Sequence, residues 1–320
     1  MTGSSNPARA RLVEVAADHA GRRLDNFLMG LLPDIPRSRI YRMVRKGEVR
    51  VNRGRARQDY RLKAGDLVRV PPLRHDEKRT TVPGASVLET LEAAVIYQDQ
   101  SLLALNKPSG MAVHGGTGLS WGVIEAMRQR EGASEAFLEL VHRLDRETSG
   151  VLLLARTPPA LRELHRQLRH DTMHKRYLAL LCGDLQASEE ILVDQPLARA
   201  SAGGERLMVV HEEGRPARTR FRVLRRFGPA TLVEAVPETG RTHQIRVHAR
   251  HLGHPLAGDR KYATREHNAP LKALGLRRLA LHAAALTLRH PENGRELRIE
   301  APLAEDLEAL IEHLEGRREG

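Results

Sequence analysis

One acidic side chain, Asp145, lies between two arginines in a polar stretch of the chain, a combination suited to chemistry. Because Arg143 and Arg146 stand on either side, nearby positive charge should keep this carboxylate ionised. An ionised carboxylate in a fixed loop can act as a nucleophile or as a base. The same arrangement is also typical of a structural ion-paired turn, and the charge pattern alone does not separate the two interpretations.

Apolar runs flank this stretch on both sides and predict the elements that hold it. Residues 137–141 precede it and residues 151–155 follow it, and both runs have the length and composition of buried strands. Residues 148–150, Thr-Ser-Gly, can turn the backbone and satisfy local donors and acceptors. We therefore expect a charged loop held by two strands, which is a common way to build a site.

Composition narrows the class of protein. A chain of 320 residues suits one large domain plus a small one, or two medium domains. A net charge of +12 suggests a polyanionic partner, although a merely basic protein has the same balance. The single cysteine, Cys182, excludes a disulfide framework and a cysteine-ligated zinc site. No apolar run approaches the roughly 20 residues of a membrane helix, and the N-terminus lacks a signal segment. We expect a cytoplasmic protein.

Positive charge is concentrated in one short region. Residues 37–74 carry 13 lysines and arginines against three acidic residues, so this region holds most of the excess charge of the chain. Surfaces without a partner usually mix both signs. The concentration is therefore typical of a unit that contacts a nucleic-acid backbone.

The spacing of apolar residues gives that region a helix-helix-strand form. Residues 24–32 place leucines and Phe27 on one face of a first helix. A second helix, capped by Ser38 and ended by Gly47, should turn Ile40, Tyr41 and Val44 inward and leave a basic outer face. Residues 49–51 and 67–70 read as strands.

These patterns predict four segments. They are a flexible tail over residues 1–20, a small basic α+β domain over 21–74, a polar linker over 75–89 that leaves this domain mobile, and a large domain over 90–320. In the large domain, long alternating strands with short turns and a few helices argue for an α+β fold around a mixed, mainly antiparallel sheet with flanking helices.

Four histidines near residue 250 invite a metal interpretation. Their spacings of five, three and three residues fit no zinc pattern, and the surrounding arginines would repel a divalent cation. We expect no metal. These histidines are His243, His248, His251 and His254.

Several motifs resemble one enzyme family, the RluA-type pseudouridine synthases. Residues 142–150, His-Arg-Leu-Asp-Arg-Glu-Thr-Ser-Gly, are similar to the signature loop of that family, and residues 240–248, Gly-Arg-Thr-His-Gln-Ile-Arg-Val-His, match a second motif. Further matches are Lys-Pro-Ser-Gly at 107–110 with Val-His at 113–114, and Lys-Arg-Tyr at 175–177. The small domain resembles an S4 RNA-binding domain, through Arg23 to Leu28, residues 38–42, residues 46–52 and residues 64–66.

The resemblance implies a set of roles. Asp145 would be the catalytic residue, Arg246 would pair with it, and Tyr177 would stand over the target base. Arg143 could enter the space that a flipped uridine vacates. Lys107 and His114 would lie on a wall that faces the RNA. Further RNA contacts are assigned to the matched motifs and to the small domain: His142, Arg241, His243, Arg39, Arg42, Arg45, Lys46 and Arg53.

The implied activity is the isomerisation of specific uridines to pseudouridine in 23S ribosomal RNA, because the resemblance is strongest to members that carry an S4 domain and modify the large-subunit RNA. Base flipping and exchange of the glycosidic bond need no cofactor or metal, and we expect a monomer. The alternatives are a non-catalytic RNA-binding or ribosome assembly factor with the same fold, and a synthase acting on other RNA positions. A glycosidase usually needs two facing carboxylates, and the resemblance assigns a catalytic role to only one, Asp145.

Overall fold

The computed structural model describes residues 10–32, 35, 37–72, 83–116, 119, 121–130, 137–186, 190–202 and 205–316, without the side chains of residues 18, 37, 38 and 202. Contacts divide the chain into two compact units, Met1–Arg79 and Thr80–Gly320, and the division falls inside the predicted linker. In the described part of the chain, no helix has the length and apolar character needed to cross a membrane.

The small unit is a three-stranded antiparallel sheet with two helices. Its strands have the order β1-β3-β2, and Arg11 lies opposite Val70 while Arg50 lies opposite Arg69. The elements are β1 (Arg11–Glu14), a 3-10 turn (Ala17–His19), α1 (Leu24–Leu31), α2 (Arg37–Lys46), β2 (Arg50–Val51) and β3 (Leu67–Val70).

The core of this unit follows the predicted helical spacing with one exception. Phe27 of α1 and Ile40 and Val44 of α2 are buried in a single cluster, but Tyr41 is 37% exposed. Met43 takes the inward position instead, because it lies three residues after Ile40 on the same helical face. The prediction for Tyr41 was wrong. Since α2 begins at Arg37, the predicted cap Ser38 lies inside the first turn.

The structure corrects the tail predicted over residues 1–20. Residues 11–14 form β1, which pairs with β3, and the following Val15 is 1% exposed in the core. The alternation of polar and apolar residues at 11–15 is thus a strand that completes the small sheet. Residues 1–9 lie outside the described part.

The large unit is built around one sheet of ten strands. Its first half contains α3 (Ala85–Ala93), β4 (Val95–Gln98), β5 (Leu102–Lys107), α4 (Val123–Arg130), β6 (Glu139–Leu140), β7 (Ser149–Ala155), α5 (Pro158–Arg169), β8 (His174–Cys182) and β9 (Glu190–Asp194). Its second half contains β10 (Leu197–Ala202), β11 (Glu205–Val210), β12 (Arg218–Arg226), β13 (Ala230–Pro237), α6 (Gln244–His251), α7 (Arg265–Ala273), β14 (Leu281–Arg289), β15 (Glu296–Glu300) and α8 (Glu305–Gly316).

The strand order confirms the predicted fold class. The sheet runs β4-β5-β7-β14-β8-β13-β12-β9, with β15 beside β14 and β6 beside β7. Its described pairs are antiparallel apart from β7 and β14, which are parallel. β10 and β11 form a separate hairpin. The fold is therefore α+β with a mixed, mainly antiparallel sheet.

Helix α3 corrects the C-terminal end of the predicted linker, residues 75–89. The helix starts at Ala85, and its Leu91 is fully buried against α4 in the core of the large unit. The apolar residues Val87, Leu88 and Leu91 share one helical face, a pattern that the polar composition of the stretch concealed. Residues 73–82 lie outside the described part.

Gly150 is required where the two parallel strands meet. Its φ is +107°, and a Cβ added there would lie 2.3 Å from the carbonyl oxygen of Ala283 on β14. No side chain fits so close an approach of two backbones. The glycine therefore fixes the start of β7, and with it the end of the polar loop that precedes this strand, against the centre of the sheet.

Candidate active site

The polar loop between β6 and β7 presents one carboxylate. The backbone amide of Thr148 donates to the carbonyl of Asp145 at 3.1 Å, which closes the turn. Leu144 points into the core, whereas the side chain of Asp145 is 31% exposed. The loop thus anchors one side chain and leaves its neighbour accessible, as the flanking apolar runs predicted.

Lys107 holds this loop from behind, and its predicted contact with RNA was wrong. The side chain is fully buried, and its Nζ donates to the carbonyls of Pro108 at 2.7 Å, Met111 at 2.9 Å and Arg146 at 3.2 Å. Burial lowers the pKa of Lys107 to about 7, against the opposing effect of the negative charge on Glu147. Because three carbonyls occupy its donors, the Lys107 side chain holds the loop in place and has no donor left for phosphate.

Helix α6 brings Arg246 to the carboxylate. Arg246 Nη1 lies 2.9 Å from Asp145 Oδ2, the contact that the resemblance implied across 101 residues of sequence. Gln244 fixes the start of this helix, since its Nε2 donates to the carbonyl of Arg218 at 2.8 Å and to Thr219 Oγ1 at 3.0 Å on β12. The helix and its arginine are therefore attached directly to the sheet.

A second carboxylate, Asp259, clamps Arg246 from the other side. Its two oxygens accept from Arg246 Nε at 2.7 Å and Nη2 at 2.9 Å, and its side chain is fully buried. Although burial opposes it, hydrogen bonding to Asp259 and the charges of both carboxylates raise the pKa of Arg246 above its ordinary value. The guanidinium is thus permanently charged, and its free Nη1 is aimed at Asp145.

Tyr262 supports the same guanidinium and also orients a histidine. Its ring lies 5.0 Å below the Arg246 guanidinium, and its hydroxyl accepts from the Met208 amide at 3.0 Å. The hydroxyl oxygen is 2.7 Å from His243 Nδ1. Because the Met208 amide supplies one hydrogen to this oxygen, the tyrosine proton is free to be donated to Nδ1.

This contact defines the state of His243. Burial lowers its pKa despite the opposing charge of Asp145, so the ring is neutral at pH 7. We infer that Tyr262 donates to Nδ1, which places the single proton of the ring on Nε2. Nε2 is 3.7 Å from Asp145 Oδ2, and His243 adopts a left-handed backbone with φ of 54° to face it. Both contacts use Oδ2, and within the described residues no hydrogen bond reaches Oδ1.

Two cavities meet at Asp145. One has a volume of about 960 Å³ and the other about 500 Å³, within the range of ligand pockets. Arg143, which is exposed, lines both. The larger cavity, here called the cleft, also brings together most other residues that the sequence assigned to the site: Asp145, Tyr177, His142, Arg241, His243 and Arg246.

Tyr177 lies on the wall of the cleft near the carboxylate. Burial and the negative charge of Asp145 raise the pKa of Tyr177 above its ordinary value, so the phenol is neutral at pH 7. The residue pairs with Ala235 on β13 and Ala283 on β14 and packs against two core clusters. A rigid ring at this position offers a flat surface to a planar ligand.

The remaining predicted residues of the large unit differ in setting. His142 Nε2 accepts from the Leu153 amide at 3.1 Å, and burial lowers the pKa of His142 to about 3, so it is a neutral group that supports β7. Arg241 Nε donates to the carbonyl of Pro216 at 3.0 Å. His114 is exposed and lines the smaller cavity. The two cavities therefore present both hydrogen-bonded and accessible basic side chains.

The basic residues assigned to the small unit lie on its surface. Arg42, Arg45 and Lys46 of α2 are exposed, Arg39 is half-buried, and Arg53 lies in the turn after β2 with a φ of 67°. Among the described residues none of these five cations meets a carboxylate. They form an open face of one sign.

Sequence reasoning missed Asp259 and Tyr262. Both lie in the turn that follows Gly258, where no periodic pattern marks an element. The sequence shows only an acidic and an aromatic residue on either side of Arg260 and Lys261. Such a mixture is typical of an ordinary loop, so it did not indicate a site. The structure also shows no group of three or more histidine, cysteine or acidic residues placed to hold a metal, among the residues that it describes.

Comparisons with known proteins agree with this geometry. The sequence profile of the family described as RNA pseudouridylate synthase matches residues 101–251, a span that contains Asp145, Tyr177 and Arg246. The profile of the S4 domain matches residues 22–68.

Relatives match over nearly the whole chain. Ribosomal large subunit pseudouridine synthase C of Yersinia pestis is 51% identical over 306 residues, which cover 95% of each chain. The protein of that name from Escherichia coli strain K12 is 49% identical over 312 residues, covering 96% of this chain and 98% of the relative.

Two solved structures share the fold of the large unit. Human RNA pseudouridylate synthase domain containing 4 has a TM-score of 0.60 and 27% identity, covering 72% of this chain and 96% of its own. Human RNA pseudouridylate synthase domain containing 1 has a TM-score of 0.57 and 26% identity, covering 73% and 97%.

Proposed function

We propose that this chain, which belongs to the RNA pseudouridylate synthase family and is therefore an isomerase, converts specific uridines of large-subunit (23S) ribosomal RNA into pseudouridine. The proposal rests on one observation above all. Asp145 stands accessible in a cleft while one of its two oxygens is held at 2.9 Å by an arginine that the fold immobilises. The names of the relatives supply the class of RNA.

Asp145 is assigned the chemical step, for which two routes are open. In the first, Oδ1 forms a bond to C1′ of the ribose as the C1′–N1 bond breaks, and the electron pair leaves with uracil. After uracil turns, its C5 bonds to C1′ and displaces the carboxylate, C5 loses its proton, and N1 gains one. In the second, Asp145 removes a proton from C2′ as the C1′–N1 bond breaks, which leaves a glycal-like species and uracil with the electron pair. C5 of the turned uracil then bonds to C1′ while C2′ regains its proton, C5 loses its proton, and N1 gains one.

Arg246 keeps Asp145 aimed in either route. A carboxylate that holds one charged hydrogen bond through Oδ2 retains a fixed direction for Oδ1. Because Asp259 and the ring of Tyr262 already fix the guanidinium, no reorganisation is needed when the substrate arrives. The arrangement is suited to a reaction that depends on position more than on an external reagent.

Tyr177 and Arg143 are assigned to the flipped nucleotide. The neutral phenol of Tyr177 can stack on uracil, which a base removed from its helix requires. Arg143 is exposed at the junction of the two cavities, so its guanidinium can occupy the space that the uridine leaves. Filling that space offsets part of the cost of unstacking, about a few kcal/mol.

The small unit is assigned to RNA binding outside the cleft. An exposed helical face with three cations that meet no carboxylate among the described residues suits contact with phosphates, which gives affinity without reading sequence. A ribosomal RNA substrate also implies that the protein works in the cytoplasm, the location expected from the sequence. A non-catalytic assembly factor with this fold would not need an arginine fixed on an accessible carboxylate.

Tritium release tests the proposal directly. Purified protein is incubated with 23S ribosomal RNA carrying tritium at C5 of uridine, and we expect release of tritium into water without cleavage of the strand. Mapping of pseudouridines in ribosomal RNA from cells with and without the gene should then show loss of defined positions. Absence of release from 23S RNA, with release from another RNA class, would redirect the assignment to that class.

A further inference from the structure

A group of cations surrounds the start and the end of α7, outside the cleft. A concave surface with a volume of about 270 Å³ is lined by Arg260, Arg265, Lys272 and Arg277, and all four side chains are exposed. This group, here called the α7 basic surface, was not singled out in the sequence as a site. Its positive charge comes from α7 itself and from the residues just before and after this helix.

These cations have no acidic partners within the described part of the chain. No carboxylate lies within 4.0 Å of their charged atoms, and no acidic residue lines the concavity. Glu266 lies nearby on α7, where hydrogen bonding to Thr264 lowers the pKa of its carboxyl group. A concentration of one sign favours an anionic partner over solvent alone.

Strand β12 shows how arginines of the same chain are treated elsewhere. Three of its arginines are neutralised by neighbouring acids: Arg218 by Asp194 at 2.6 Å, Arg220 by Glu190 at 2.7 Å, and Arg222 by Glu234 at 3.0 Å. Both regions are rich in arginine, but only β12 carries its own counter-charges. The α7 basic surface therefore leaves its cations available to an anionic ligand, whereas β12 does not.

The backbone beneath the α7 basic surface is rigid. Asn268 is buried, and its Oδ1 accepts from the Gly258 amide at 2.7 Å while its Nδ2 donates to the Thr264 carbonyl at 3.2 Å. Gly258 has a φ of +77°, and a Cβ there would lie 1.9 Å from the Arg278 carbonyl oxygen. The backbone that carries these cations is thus held in place, so less conformational entropy is lost when a ligand binds.

The same turn joins this surface to the carboxylate. Gly258 and Arg260 line both the concavity and the smaller cavity that contains Asp145. Within the turn, Asp259 points inward to hold Arg246, and Arg260 points outward to solvent. A strand that enters the smaller cavity can therefore continue past Arg260 towards the other cationic side chains.

We propose that the α7 basic surface binds the phosphodiester backbone of the RNA strand on one side of the target nucleotide. This inference rests on the proposed function, because it takes RNA as the substrate, and it adds an anchor on the catalytic unit itself. Phosphates held there keep the flanking strand in place while the target base leaves its stack. The anchor acts on substrate binding and not on the chemical step.

The test compares two triple variants of the full-length protein. Arg265→Ala/Lys272→Ala/Arg277→Ala removes three of the four cations of the surface and keeps Arg260, which also lines the smaller cavity. Arg218→Ala/Arg220→Ala/Arg222→Ala removes the same number of charges from β12. With tritium-labelled 23S fragments we expect the first variant to raise KM about tenfold, to keep kcat, and to make the salt dependence of binding shallower by about 2 in log-log slope. We expect the β12 variant to change KM less than about twofold.

A shortened RNA sharpens the test. When the fragment is trimmed until only the target loop remains, the two triple variants should have the same KM, because no flanking phosphate reaches the surface. If the first triple variant loses its cooperative thermal transition, the single change Lys272→Glu, on an exposed side chain, replaces it and should raise KM in the same direction.

The outcomes separate this inference from the proposed function. A wild-type protein that releases no tritium from any fragment would contradict the proposed function. A wild-type protein that is active, together with equal KM values and salt slopes for the two triple variants on the long fragment, would overturn the inference alone. A KM penalty that persists on the trimmed RNA would also overturn it.

Discussion

The floor of the cleft and the outer face of α2 use positive charge in opposite ways. Arg246 is buried and makes three hydrogen bonds to two carboxylates, so its position is set before any ligand binds. Arg42, Arg45 and Lys46 are exposed and meet no carboxylate within the described residues. The cation in the cleft therefore orients Asp145, whereas the cations on α2 attract a polyanion without fixing its position.

Energetics explain why one chain contains both. Burying a charge is costly unless it is paired and hydrogen-bonded, and Asp259 meets that requirement for Arg246. The fold therefore bears the cost of ordering the group that acts on Asp145. Exposed cations remain hydrated and mobile, which suits phosphates whose positions vary with RNA shape.

The largest effect is expected for Arg246→Lys. Lysine keeps the charge but loses the planar fork that reaches Asp259 and Asp145 together. We expect kcat for tritium release to fall about 100-fold, the order found when a preorganised donor is removed, and thermal stability to fall as well.

Arg250→Lys is the matched control, because Arg250 lies on the same helix and is exposed. It should keep both kcat and the melting temperature. Equal kcat values for Arg246→Lys and wild type would show that the fixed guanidinium of Arg246 is not needed to orient Asp145, and that a positive charge is enough.

A moderate effect is expected for Tyr262→Phe. The ring below Arg246 is retained, but the hydroxyl that contacts His243 Nδ1 and the Met208 amide is lost. We expect a loss of about 1 kcal/mol in stability and roughly a fivefold fall in kcat, since His243 no longer has a fixed tautomer. Nitrogen NMR of His243 should show a mixed tautomer.

Tyr60→Phe in the small unit is the counterpart of that change. The Tyr60 hydroxyl donates to Asp66 Oδ2 at 3.2 Å. Both residues lie far along the sequence from Asp145. Removal of the Tyr60 hydroxyl should lower stability by a similar amount and leave kcat intact. A fall in kcat of the same size in both variants would mean that Tyr262 acts through stability alone.

A smaller effect, confined to affinity, is expected for Arg42→Ala/Arg45→Ala/Lys46→Ala on α2. Loss of about three phosphate contacts should weaken RNA binding about tenfold at moderate salt and reduce the salt slope by about 2. Single-turnover rates at saturating RNA should equal those of wild type. Filter binding over a salt series measures the first quantity, and a lower saturated rate would contradict the division of roles.

The last effect concerns the pH dependence of folding stability, in two histidines with unlike settings. Burial lowers the pKa of His142 to about 3 in the folded chain, whereas its unfolded value is 6.5. The unfolded state thus takes up a proton first, so folding stability is lost as pH falls from about 6.5 towards 3. Urea titrations of His142→Gln should show a pH dependence smaller by up to one proton.

His114→Gln provides the comparison, because His114 is exposed. Its stability should follow the wild-type pH profile throughout. A change of slope in His114→Gln, or none in His142→Gln, would show that burial does not set the difference.

Much of this architecture could be predicted from the sequence. Apolar spacing located α1 and β3, and apolar runs located the strands around Asp145, because burial of one face determines these elements. The carboxylate itself was recognisable from its loop and its motif. Composition misled where an element is short or mostly polar, as in β1 and α3.

The parts of the site that escaped prediction depend on contacts between distant segments. Lys107 was expected at the surface, since lysine is rarely buried, but carbonyls from two separate segments satisfy it. Asp259 is recognisable as a clamp only when Arg246 is known to lie beside it. Pairings of this kind leave no periodic signal in the sequence.

Asp145→Asn tests the role of the carboxylate most directly. The amide keeps the size of the side chain but removes its charge and its capacity as a nucleophile or base, whereas Asp171→Asn changes an exposed acid that lines the same cleft. In single-turnover assays on tritium-labelled 23S RNA, Asp145→Asn should release no tritium while binding RNA as tightly as wild type, and Asp171→Asn should retain activity. Tritium release by Asp145→Asn at a rate near that of wild type would contradict the assignment of Asp145 as the catalytic residue.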